Sequence, residues 1–276
     1  METTVDTQSL IWLLKCTQRT HTISGKSIPQ VSACMLNVIG GRMATCSLTK
    51  DGVSSVGIFS IPASGEAAIP VSNIETMLGV LKYHGNALVL SYGNSKLKLK
   101  SSSKQTTLTA SENALAFPHS PNTLKAWSNT SMAFAGKINT HGKIGYTMND
   151  GSILEPVASW EMVDAVSFYE AVRCDEMNGQ KLNTFSFKGH EKGLSVIVGK
   201  ELKGQTEYEL DKRGTRWPFV ATYQGGFNNL FSNINGKINL YFFDFTEWEQ
   251  GVKMLITLGD GDFIFQSALL GDEYIC

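Results

Sequence analysis

The chain has no run of about 18 apolar residues, so no segment of it reads as a membrane span. It also lacks an excess of charge: 24 Lys and Arg stand against 25 Asp and Glu, for a net charge of -1. That excludes binding to nucleic acid by bulk positive charge, so such a partner would need basic residues gathered on one face. The five cysteines (Cys16, Cys34, Cys46, Cys174 and Cys276) are odd in number, widely spaced and never in a CxxC. A disulfide framework or a zinc site does not fit that pattern, whereas buried free thiols do. Catalytic signatures are missing too: there is no GxSxG, no P-loop and no HExxH. None of the five histidines (His21, His84, His119, His141, His190) stands at a metal-ligand spacing. Gly259-Asp260-Gly261-Asp262 lacks the alternating ligands of a calcium loop and reads as a turn. Asp175 and Glu176 beside Cys174 would raise its thiol pKa, which suits a nucleophile badly. The expectation is a protein with no enzymatic activity, no cofactor and no metal. The N-terminus has no basic region followed by a long apolar core, so no signal peptide is expected.

What the chain does hold is a packed core, with 42% apolar residues and 14 Phe. It also holds a pattern used twice, at Ile69–Leu90 and Phe219–Leu240. Each copy reads as a short amphipathic helix, a Gly/Asn stop and an alternating strand. The helices are placed at Asn73–Tyr83, with Ile74, Met77, Leu78 and Leu81 inward, and at Thr222–Ile234, with Phe227 and Phe231 at matching offsets. Two further helices are predicted. Ser9–Arg19 puts Leu10, Leu13, Leu14 and Thr17 on one face and Gln8, Trp12, Lys15 and Arg19 on the other; Met162–Glu176 turns Met162, Val166 and Tyr169 inward. Strands fill most of the rest, including 54–61, 67–71 and a strictly alternating KLKLK at Lys96–Lys100, with a loop at 20–29. Hairpin-connected strands with few helices make an α+β layer architecture of mostly antiparallel sheets. The organisation read from this is an N-terminal domain 1–111, a connector 112–127 and a C-terminal domain 128–276, in which 128–155 is an unassigned insertion.

The order helix, strands, helix, strands, repeated, resembles that of the DNA sliding clamps: proliferating cell nuclear antigen, the bacterial β clamp and phage processivity clamps. Leu81–Asn86 before an apolar strand looks like the second inner helix of a clamp domain with its exit. Ile69–Ser72 is similar to the Val-Pro entry of bacterial clamps, and Ser167–Arg173 to the first inner helix of a second domain. Ala116-Phe117-Pro118 resembles the end of a bacterial clamp domain. The resemblance implies two tandem clamp domains, with sheets outside and short helices on the inner face. It implies a processivity factor that encircles duplex DNA without reading its sequence and tethers a DNA polymerase, after placement by a clamp loader. Two domains per chain imply a homotrimeric ring of phage or viral type. Its place would be intracellular: the cytoplasm of a prokaryotic or phage-infected cell, or a eukaryotic nucleus. Two alternatives stay open, a monomeric clamp-like DNA-binding processivity subunit and a structural β-rich assembly protein.

The resemblance also assigns residues. Lys15, Arg19, Lys82, His84, Arg173, Lys212, Arg213 and Arg216 would face DNA. Leu48, Val53, Val56, Leu124, Ala268, Leu269 and Leu270 would line a pocket for partner peptides. Gln105, Thr107 and Thr109, with Thr206, Tyr208 and Leu210, would form the subunit interface as paired edge strands. The second copy of the pattern is short of Lys and Arg: Asn228, Asn229, Ser232 and Asn233 stand where basic residues are expected.

Overall fold

The fold comes from a computed structural model that describes residues 2–18, 20–23, 26–29, 31–48, 55–110, 144–148, 150–177, 184–200, 204–224, 234, 236–248, 251–258 and 263–267. Connector 112–127 lies outside the described residues, as does most of the helix expected at 222–234. The architecture is α+β, with antiparallel strand pairs and short helices. The chain divides into two compact units, one of Met1–Arg19 with Pro29–Ser131 and one of Thr20–Ile28 with Met132–Cys276.

In the first unit, strand Glu2–Asp6 (β1) runs directly into helix Thr7–Gln18 (α1). Asp6 caps that helix: its carboxylate accepts from the Ser9 N–H at 2.8 Å and the Ser9 hydroxyl at 2.9 Å. The same bonds hold the Asp6 carboxyl below its ordinary pKa. Leu10, Leu13 and Leu14 are fully buried, each contributing about 1.5–3 kcal/mol of apolar transfer. Thr20–Ile23 (β2) and Lys26–Pro29 (β3), which but for Pro29 belong to the second unit, pair with each other where a loop is expected; β-branched Thr20, Thr22, Ile23 and Ile28 favour the extended chain. Next come Cys34–Ile39 (β4), Arg42–Leu48 (β5) and Ser55–Val71 (β6). Strand β6 is continuous over 17 residues, where two strands were expected. It pairs first with β5, then through Ala63–Glu66 with β1, and then with β4. Gly65 makes the middle contact possible: its φ is +93°, and a Cβ there would stand 2.6 Å from the Glu2 carbonyl oxygen. Helix Ile74–Leu81 (α2) starts at Asn73, whose side chain accepts from the Thr76 N–H at 2.8 Å. Ile74, Met77 and Leu81 are buried, and α2 packs against α1. Ala87–Gly93 (β7), Lys96–Lys100 (β8) and Gln105–Thr109 (β9) complete the sheet order β6-β1-β7-β8-β9.

In the second unit a small ribbon, Tyr146–Thr147 (β10) and Ile153–Leu154 (β11), lies in the stretch left unassigned above. Ala158–Asp164 (β12) then leads into helix Ala165–Met177 (α3). The helix therefore starts three residues later than expected, and its buried face is Ala165, Phe168 and Ala171. Met162 and Val166, expected inward, are 65% and 46% exposed. The reason is local: Met162 sits at an irregularity of β12 with φ +62°, and Asp164 caps the helix by accepting from the Val166 N–H. Thr184–His190 (β13), Gly193–Lys200 (β14), Gly204–Asp211 (β15) and Phe219–Gln224 (β16) form a sheet ordered β15-β14-β13-β16. Thr222–Gln224, expected to start a helix, are the end of β16. Phe219, Ala221 and Tyr223 are all buried, which is the period of a strand. Lys237–Asp244 (β17), Val252–Thr257 (β18) and Phe263–Ser267 (β19) add to β12 in the order β12-β17-β18-β19. Phe168, Phe185, Phe187, Tyr223 and Phe242 stack edge to face or flat at the centre of this unit.

The two units share one wiring. The pairs β4–β5, β5–β6 and β4–β6 repeat as β13–β14, β14–β15 and β13–β16. The pairs β1–β7, β7–β8 and β8–β9 repeat as β12–β17, β17–β18 and β18–β19. A helix follows β1 in one unit and β12 in the other, α1 and α3 respectively. The difference is that β6 is a single strand where the second unit uses two, β15 and β16.

Candidate functional site

Among the basic residues assigned to DNA in the first unit, Lys15 is exposed on α1 and Lys82 is exposed at the C-cap of α2. The packing of α1 on α2 makes these neighbouring helices, each offering one ammonium to solvent. Arg19 lies outside the described residues. His84 is engaged by hydroxyls: Nδ1 is 3.1 Å from Ser101 Oγ, and Nε2 is 3.0 Å from Thr106 Oγ1. Desolvation and then the positive charge of Lys104 push its pKa down, so it is a neutral ring at neutral pH and adds no cation. Tyr83, 70% exposed, was missed by the sequence reading; the Lys104 ammonium stands 5.8 Å from its ring centroid. A tyrosine between a lysine and a histidine in a turn was the available signal.

In the second unit, Arg173 lies on α3, whose exposed positions include Glu170. Lys212 and Arg216 are exposed, and Lys212 makes only a loose 3.8 Å pair with Glu209. Arg213 is committed to the fold. Its Nε donates to Asp211 at 2.9 Å, its Nη2 donates to the Glu161 carbonyl, and its own carbonyl accepts from Trp160 Nε1 at 2.6 Å. This network lowers the Asp211 pKa and raises that of Arg213. Arg213 thereby joins the end of β15 to the irregular turn of β12.

Of the residues assigned to a peptide pocket, Leu48 and Val56 are register partners across β5 and β6. Val53, Leu124, Ala268, Leu269 and Leu270 lie outside the described residues. A different cavity, of about 280 Å³, opens in the first unit beneath β9, between β8 and the start of α2. The residues assigned to the subunit interface lie on β9 and β15, and each of these strands ends its sheet order. Gln105, Thr107 and Thr109 are exposed on one face of β9, in register with Lys100, Lys98 and Lys96 of β8. On β15, Thr206 is exposed and Tyr208 and Leu210 are half-buried.

A wiring of antiparallel strands used twice, with a helix after β1 and again after β12, defines the class: the fold is that of the DNA sliding clamps. Solved structures agree along nearly the whole chain. The β sliding clamp of C. crescentus superposes with a TM-score of 0.62 at 16% identity, over 97% of this chain and 65% of that one. The DNA polymerase sliding clamp from Pseudomonas aeruginosa gives 0.61 at 10% identity, over 98% and 66%. The H. pylori β clamp bound to a DNA ligase peptide gives 0.56 at 12% identity, over 99% and 68%. The chain thus spans about two thirds of the length of these clamps. No protein-family model and no curated protein matches the sequence. Among the described residues there is no helix long and apolar enough to cross a membrane and no cluster that could hold a metal ion.

Proposed function

We propose that this protein is a non-enzymatic sliding clamp that closes head to tail around duplex DNA and tethers a replicative polymerase. The observation that carries the reading is the doubled wiring, found in a chain that matches bacterial β clamps over 97% of its length. A ring holds DNA without sequence preference through phosphate attraction, so it slides but stays on. The tethered polymerase gains a high effective concentration at the primer end. Lys15 and Lys82 are the cations best placed for this role, being exposed and without an ion pair among the described residues. Strands β9 and β15 supply the seam between copies, and two units per chain make three copies the expected number. Duplex DNA, a DNA polymerase, a clamp loader and the chain itself are the partners of this reading, and its place is intracellular.

The test is retention on circular DNA together with solution mass. The double change Lys15→Glu and Lys82→Glu should leave the oligomer intact, shorten the lifetime on nicked circular DNA by about tenfold or more, and cut primer extension on long templates. If retention survives the double change, α1 and α2 do not face the DNA. If primer extension is unaffected by the wild-type protein, the clamp reading fails.

A further inference from the structure

The first unit turns one sheet face to solvent, and the charges on that face are segregated by strand. Lys96, Lys98 and Lys100 alternate along β8 with buried Leu97 and Leu99, so all three ammonium groups stand on the exposed side. Alternate residues of an antiparallel strand lie about 6.8 Å apart, which sets the pitch of the row. On one side the lysines are in register with Thr109, Thr107 and Gln105 of β9, all exposed. On the other side they are in register with Gly93, Ser91 and Val89 of β7. Neither flanking strand brings a carboxylate to this face. Among the described residues none of the three lysines makes an ion pair. Acids begin one strand further on, at β1: Glu2 is the partner of Ser91, Asp6 that of Ala87, and Glu66 of β6 faces Glu2. Glu2 is thus two strands from Lys98, about 10 Å, a separation over which salt at 0.1 M screens exposed charges.

Three like charges held at this pitch repel one another, and an anion laid along them removes the repulsion. The form of the face selects among polyanions. Single-stranded nucleic acid is held by stacking its bases on aromatic rings, and no residue of β7, β8 or β9 on this face is aromatic. An extended peptide has the pitch of a strand, so acids at every second residue meet Lys96, Lys98 and Lys100 one to one. The hydroxyls of Thr107 and Thr109 and the amide of Gln105 border the row with groups that can donate to peptide carbonyls. The chain's own alternating acids, Glu207, Glu209 and Asp211 of β15, are already matched by Lys188, Lys212 and Arg213. That leaves the lysine row to another protein.

From this we infer that the exposed face of β8 docks an acidic segment of a partner protein, lying extended with carboxylates at alternate residues over Lys96, Lys98 and Lys100. One exposed lysine–carboxylate pair contributes little, so the three act together and their hold weakens with salt. Charge at this pitch fixes the register of the partner segment and speeds its arrival. The contact uses neither the helices proposed to face DNA nor the edge strand proposed as a seam, so it stands or falls apart from the ring.

The experiment is fluorescence anisotropy of the full chain with a labelled peptide alternating Glu and Ser, across ionic strength. The wild type should bind it at low salt, and more tightly than a peptide of the same composition with its acids in one block. Changing Lys96→Gln, Lys98→Gln and Lys100→Gln together should weaken binding about tenfold, whereas Lys15→Gln with Lys82→Gln should not. Changing the three to Glu should abolish it and admit a peptide alternating Lys and Ser. Thermal unfolding of each variant checks that the exposed substitutions leave the fold intact. Equal binding by the wild type and the three-fold Gln variant would overturn the assignment. So would a wild type that ignores the peptide, or one that instead takes up single-stranded oligothymidylate and loses it with the three lysines. Retention on circular DNA should be unchanged in the three-fold Gln variant. A wild type that stays on circular DNA yet ignores the peptide would sink the docking face alone.

Discussion

At the residue scale, His84 shows how a side chain can suit a role by type and be taken out of it by its neighbours. Its ring spans Ser101 and Thr106, which ties the α2 exit to β9 and to the turn before it. Because its folded pKa is depressed below the usual 6.5, the neutral ring is favoured in the native state. The stability this contributes is present above pH 6.5 and is lost as pH falls through the lower folded value. Urea unfolding should therefore show a fall in stability below pH 6.5 that His84→Gln reduces. Replacement by Ala should cost about 1–2 kcal/mol at pH 7.5, from two lost hydrogen bonds. Arg213 is the matching case in the second unit. Arg213→Ala should lower the melting temperature, whereas Arg216→Ala, at an exposed position, should not.

At the scale of elements, caps and periods were legible in the sequence to different degrees. Asn73 with Ile74, Met77 and Leu81, and the alternation of KLKLK, were readable because one face of each is buried and the other wet. Asn73→Ala should accordingly destabilise by about 1 kcal/mol in thermal unfolding, through loss of the bond to the Thr76 N–H. Two misreadings have physical causes. Thr222–Gln224 were read as the start of a helix by their match to the first copy of the pattern, whereas Phe219–Gln224 is rich in aromatic and β-branched residues and its burial follows every second residue. The start of α3 was placed early because Met162 and Val166 are four residues apart, a helical spacing, yet Met162 belongs to an irregular strand end with positive φ. Continuity of β6 was hidden by Pro62 and Gly65, which usually punctuate chains; here Gly65 is the point of closest approach to β1. The basic candidates were found by residue type and helix face. Their availability was not legible, because it depends on partners such as Asp211, Ser101 and Thr106, the last two of which come from more than fifteen residues further along the chain than His84.

For the whole molecule, the contrast between the two units bears on motion. Strand β6 serves β5, β1 and β4 without a break, whereas β15 and β16 are separated by 212–218 and held near β12 through Arg213 and Trp160. In amide hydrogen exchange, the backbone of β6 should exchange as one cooperative block with β5, β1 and β4. Strand β15 should exchange on its own, sooner than β16, so that this edge strand opens while the sheet behind it stays closed.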